Sequence, residues 1–255
     1  MLFTDGNPSR AEDLRVFESN IYEVANIEGI DLDAKLNAGA EEIGDQIMAY
    51  LLQPASGDPQ ASRRRSLGLS TLVVTPAMRR WHALHVLALT FRDASHNQAN
   101  DRYRENWRHY VTAASDARST LFRIGLGFVT NPLPRPEKPK VTAAGGAWPA
   151  SEYVIRIAWV NGEGQVSAPS EPATLELEAP GAPLVMRPFR FPEQAVGWHV
   201  YAGESGNDLF QQNIDTLPLS ASWTTSNSSL QSGELPGSGQ FADIFVTSSQ
   251  VRQRG

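Results

Sequence analysis

Apolar residues recur every three or four positions through the first half of the chain and alternate in stretches of the second half. Leu14, Phe17, Ile21, Val24 and Ile27 hold helical spacing behind Ser9 and Glu12, a capping-box pair, and Gly29 is a natural stop. Asp31 or Asp33 then caps a second helix with Leu32, Leu36, Ala40, Ile43, Ile47 and Leu51 on one face, and the short link between the two predicts an αα-hairpin. Thr75-Pro76 opens a third helix carrying Met78, Trp81, Leu84, His85, Ala88 and Phe91. A break near residues 97–100 precedes a fourth, with Tyr103, Trp107, Tyr110, Val111, Ala114, Ala117, Leu121 and Ile124 on one face. Residues 53–74 lack a helical period and contain Pro54, Gly57, Pro59 and Gly68. A loop this long is usually functional or disordered, and Leu69, Leu72, Val73 and Val74 suit a short extended piece within it.

After Pro139 the period changes to two. Tyr153, Ile155, Ile157 and Trp159 alternate with Glu152, Val154, Arg156 and Ala158, as in a half-buried strand. Asn161-Gly162-Glu163-Gly164 reads as a turn, Leu175 and Leu177 alternate with glutamates, and Val196, Trp198, Val200 and Ala202 form a further strand turning at residues 203–207. Residues 209–214 and 220–225 complete a set of short strands. The pattern predicts α+β in separate modules: an N-terminal α-helical bundle (1–130), a proline-rich linker (131–139), an antiparallel β-sandwich (140–225), and a flexible linker with an apolar tail (226–255). In that tail Phe241, Ile244, Phe245 and Val246 are too apolar for water, and Arg252 and Arg254 follow them. The tail is expected to dock on another subunit by strand addition, or else to complete the chain's own sandwich.

Charge is segregated beneath a net −6. Residues 1–60 carry three basic and twelve acidic side chains, whereas residues 61–130 carry eleven basic and four acidic. Two readings follow: solvated helical faces, or an acidic face of one copy meeting a basic face of the next. The second makes Arg102, Arg104 and Arg108 candidates to meet Glu41, Glu42 or Asp45 of a neighbour. Arg63, Arg64 and Arg65 form a cationic run in the long loop, expected at a surface facing protein or DNA phosphates. The absence of cysteine rules out disulfides and thiolate metal sites and fits a reducing compartment. The N-terminus reads as no signal peptide, and no stretch approaches the roughly 20 apolar residues of a membrane span.

Chemistry-bearing motifs are sparse. No P-loop, zincin motif or nucleophile elbow occurs, so no catalytic residue, cofactor or metal is expected. His82 and His85 lie three apart on one helix and read as a packed or surface pair. Trp81, Phe91, Tyr103, Trp107 and Tyr110 read as bundle core rather than as a base-stacking platform.

The first half resembles the head–tail adaptor (connector) proteins of tailed bacteriophages. The resemblance rests on Met1-Leu2-Phe3-Thr4-Asp5-Gly6, the acidic helix after it, the paired long helices, and their exit through Ile124-Gly125-Leu126-Gly127-Phe128-Val129 into the proline-rich run. The second half resembles fibronectin type III or immunoglobulin-like modules. Tyr153-Val154-Ile155-Arg156-Ile157, the run from Ser167-Ala168-Pro169-Ser170 to Pro172, and Gly197-Trp198-His199-Val200-Tyr201 carry that likeness. The late-type strands come first here, which leaves the connectivity open. The resemblance implies a structural, non-enzymatic homo-oligomeric ring, usually a dodecamer, in the virion neck. Its partners would be the portal protein, tail or neck proteins, and genomic DNA passing without sequence recognition. A β-sandwich adhesion protein of a phage or bacterial surface is the alternative, although Trp159 and Trp198 fall on inward faces of their strands.

Overall fold

The computed structural model describes residues 1–53, 64, 66–97, 101–206 and 208–247. Helices occupy the N-terminal half and antiparallel sheets the C-terminal half, and the chain divides into two compact units. The division does not follow sequence order. Residues 6–130 form the helical unit together with the segment from residue 242 onward, while residues 1–5 and 131–241 form the β unit.

In the helical unit, α1 (Ala11–Leu14) and α2 (Ile21–Glu28) replace the single helix expected to run to Gly29. The chain breaks between them because the Tyr110 hydroxyl holds the connection, 2.9 Å from the Glu18 carboxylate and 3.0 Å from the Phe17 carbonyl. The expected cap is also displaced: the Arg10 amide donates to Asp13 (2.8 Å), and Ser9 is buried. Gly29 stops α2 in the left-handed conformation, with φ 64°. Asp31 caps α3 (Leu32–Leu52) by accepting from the amides of Asp33 and Ala34. Its buried face includes Leu36, Ile43, Ile47 and Leu51. Thr75 caps α4 (Pro76–Asn97) through its hydroxyl, 3.3 Å from the Met78 amide. The amphipathic α5 (Arg104–Ile124) packs along α4, where Phe91 and Tyr110 stack at 5.4 Å.

The helical unit ends in a small sheet. Strand β1 (Leu126–Phe128) is bridged on one side by Leu72, with the Val73 amide donating to Gly127 and the Val129 amide to Thr71. On its other side it pairs antiparallel with β10 (Ile244–Val246). The apolar tail therefore docks on the chain's own helical unit, neither on the β unit nor as an unsatisfied strand awaiting another subunit. The reason is local. All three residues of β1 are buried, and their outer backbone groups need partners. Gly127 admits the returning strand at close range: a Cβ there would lie 2.7 Å from that of Ala242.

The β unit contains two antiparallel sheets. One has the order β2 (Val141–Trp148), β5 (Gly181–Val185), β9 (Trp223–Thr224). The other runs β4 (Ala173–Glu176), β3 (Glu152–Asn161), β6 (Ala195–Gly203), β7 (Phe210–Gln211), with β8 (Leu217–Pro218) also on β6. Both sheets feed one hydrophobic cluster that includes Trp148, Ile155, Ile157, Trp159, Val185, Trp198 and Trp223. Trp159 and Trp198 sit directly opposite each other on β3 and β6, and both are buried. Beyond β4, the edge of β3 is closed by Ser167 and Ser170, whose hydroxyls accept the amides of Trp159 and Ile157.

Neither expected linker is a free spacer. Leu133 joins the β-unit cluster, and Pro136 and Pro139 are buried. The stretch 226–240 is tied down at several points. The Gln211 amide donates to Glu234 O, and the buried Gln240 side chain bridges Leu133, Asn131 and Gln165. Replacing Gly127 by alanine is expected to lower the melting temperature of the helical unit, since overpacking of this kind costs about 1–3 kcal/mol. Adding Ala242→Gly should recover part of the loss, and calorimetry of the single and double variants checks the coupling.

Candidate assembly surface

Helical geometry sorts the candidate interface residues. With Leu36, Ile43 and Ile47 of α3 turned inward, Glu41 and Asp45, four residues apart, are exposed. Glu42 is engaged within the chain: its carboxylate lies 2.7 Å from His85 Nε2. On α5 the positions 104, 108, 111, 115 and 118 fall on one stripe, and Arg104, Arg108, Val111, Ser115 and Arg118 are all exposed. Arg104 contacts Asp101 at 2.6 Å, with both side chains at least half exposed, so water weakens that pairing. Arg102 lies off the stripe, its guanidinium 5.1 Å from the Tyr103 ring centre. The structure thus brings Arg104 and Arg108 together on one face and Glu41 and Asp45 on another, but commits Glu42 and Arg102 to contacts within the unit.

A groove of about 400 Å³ runs between these faces, with α4 as its floor. Glu42 and Gln46 line the acidic wall, Ser115 and Arg118 the basic wall, and Trp81 and Trp107 contribute aromatic surface. Trp81 is buried, as a core residue should be, whereas Trp107 is only partly covered and opens into the groove. The sequence pattern assigns Trp107 to the core and places Arg118 with Arg102, Arg104 and Arg108 on the opposite face of the helix, without making Arg118 an interface candidate. The signal was the Arg104–Arg108–Val111–Ser115–Arg118 spacing, an exposed stripe beside the apolar one.

The loop cluster divides differently. Arg64 is 7% exposed, and its guanidinium sits 5.4 Å from the Tyr50 ring centre. The expectation of an exposed Arg64 is therefore corrected: its stem and planar head pack on an aromatic ring. Arg63 and Arg65 lie outside the described residues. In the tail, Val246 is buried, Ile244 is half-buried, and Phe245 and Phe241 are 54% and 85% exposed. Arg252 and Arg254 lie outside the described residues.

His82 is a packed core histidine. Its Nε2 lies 3.0 Å from the Leu36 carbonyl, which only accepts, so Nε2 carries the proton. Nδ1 is then the acceptor for the Ser9 hydroxyl at 2.7 Å and the Ser9 amide at 3.2 Å. Burial drives its pKa down to about 4, against the favourable bond to Leu36. Among the described residues, no cluster of three or more His, Asp and Glu side chains is placed to hold a metal ion. No described helix is long and apolar enough to cross a membrane.

Comparison with family models, with curated proteins and with solved structures found no match.

The neutral His82 makes the helical unit sensitive to acid. Its folded pKa lies below the unfolded value of about 6.5, so its contribution is complete above that value and is lost as pH falls towards 4. The loss should approach roughly 3 kcal/mol, at about 1.4 kcal/mol per pKa unit. Denaturant titrations at several pH values are expected to show this slope, and His82→Gln should flatten it.

Proposed function

We propose that this chain is the structural head–tail adaptor of a tailed-phage neck, assembling as a ring between portal and tail through which DNA passes. In this reading the helical unit forms the ring, and the β unit is a fibronectin type III or immunoglobulin-like sandwich carried on it. The observation that carries the proposal is the pair of oppositely charged exposed faces on one helical unit, Glu41 and Asp45 on α3 against Arg104, Arg108 and Arg118 on α5. A cyclic ring needs two different, complementary surfaces on each copy, and this arrangement supplies them. Each exposed ion pair contributes only about 0–1 kcal/mol, but ring closure repeats the contact around the circle. The groove between the walls adds apolar surface from Trp107 and Val111. The resemblance of the paired helices and their exit strand to head–tail adaptors points the same way, as does the early acidic segment.

The test is light scattering of the purified full chain over a salt series, alone and with portal protein. The wild type is expected to form oligomers that weaken as salt rises. Arg104→Glu with Arg108→Glu should shift them towards monomer, and Glu41→Arg with Asp45→Arg in the same chain should restore them. A wild type that stays monomeric even with portal, or a reversed variant that assembles normally, overturns the proposal.

A further inference from the structure

The β unit carries twelve acidic and only six basic side chains. Four of those six, Lys138, Lys140, Arg187 and Arg190, line one recess of about 220 Å³ beside the loop after β5. Its base is apolar, formed by Ile157, Trp159, Met186 and Phe189. Phe189 is 67% exposed, and Lys140 Nζ and the Arg187 guanidinium stand 5.7 and 5.9 Å from its ring centre. One aromatic ring thus holds two like charges side by side. Glu137 is the acidic residue lining the recess, 3.8 Å from Arg190, and both side chains are largely exposed. Cations gathered against the sign of their own unit mark a surface shaped for an anion. The recess is smaller than the roughly 300–1,000 Å³ typical of small-molecule sites, so it suits one apolar side chain with a carboxylate beside it.

The same unit presents such a group elsewhere. Ile214 is 96% exposed and is followed by Asp215. Its position is built rather than accidental. The buried Asn213 side chain accepts the Val200 amide at 2.7 Å and donates to the Asp215 carbonyl at 2.7 Å, while Gln211 donates to the Asn213 carbonyl at 2.7 Å. The backbone is therefore anchored at the peptide before Ile214 and at the carbonyl of Asp215 after it, and the side chain is held out in water with little ordering left to lose on binding. We infer that Ile214 and Asp215 of one copy dock in the cationic recess of a second copy, with the isoleucine in the apolar base and the carboxylate among Lys140, Arg187 and Arg190. The two surfaces differ, so the contact is heterologous and extends self-assembly to the β unit. It does not depend on the charged helices. A single-stranded nucleic acid is the less suitable occupant, because the unit's excess of carboxylates repels a polyanion and two cations already crowd Phe189.

The absence of cysteine makes the test direct. Full-length Ile214→Cys and Met186→Cys variants are mixed and treated with a short bis-maleimide. A covalent dimer is expected from this mixture and not from Ile214→Cys mixed with a turn control, Glu163→Cys. Arg187→Glu with Arg190→Glu in the Met186→Cys chain should abolish it. A dimer that persists with Arg104→Glu and Arg108→Glu upholds this contact even if the helical ring fails. Salt-sensitive rings without the specific dimer overturn this contact alone. Equal yield from the control overturns it too. Binding of a labelled single-stranded oligonucleotide, lost in Arg187→Glu with Arg190→Glu and accompanied by no dimer, reassigns the recess to nucleic acid.

Discussion

A buried strand must satisfy its backbone on both edges, and that requirement at Leu126–Phe128 organises the whole chain. One edge is met by residues 71–73, just ahead of α4, within the helical unit. The other is met by Ile244–Val246, more than a hundred residues later. The entire stretch from 131 to 241 is therefore enclosed between two neighbouring strands of the helical unit. Residues 1–5 make the opposite exchange: Asp5 accepts the amides of Leu2 and Arg135 and anchors the N-terminus in the β unit. Each unit thus depends on a segment far from it in sequence, which couples their folding more tightly than a proline spacer would.

The elements legible in the sequence were those with a strong period. α3, α4 and α5 carry three- or four-residue spacing over long stretches, and β3 and β6 alternate cleanly around Trp159 and Trp198. Strands β2 and β5 gave no such signal. Val141–Trp148 is mostly alanine and glycine, and Gly181–Val185 contains a proline, so neither has β propensity of its own. Their pairing comes from the register with each other and from the cluster beneath them. The β1–β10 pair was hidden for a different reason. Three-residue strands have no period, and a partner so distant in sequence is chosen by tertiary fit at Gly127, which composition cannot display.

The candidate surface was legible in part. Charge segregation by segment is a sequence property, and it becomes two exposed faces because the apolar stripes of α3 and α5 fix which residues turn outward. The sequence could not reveal which charges are taken up at home. Glu42 meets His85 from another helix, and Arg64 finds the Tyr50 ring across the loop. Both contacts depend on helix packing, not on spacing along the chain. The recess around Phe189 was passed over although its signal is visible in retrospect: Met186-Arg187-Pro188-Phe189-Arg190-Phe191 alternates apolar and basic residues around a proline, where no regular element buries them.

The central claim is that one copy carries both halves of a closing interface. Negative-stain imaging of the purified full chain at low ionic strength, alone and mixed with portal, tests it most directly. Closed rings of one diameter, or portals decorated by a ring, are the predicted result. Monomers under both conditions, or open filaments of indefinite length, would contradict it.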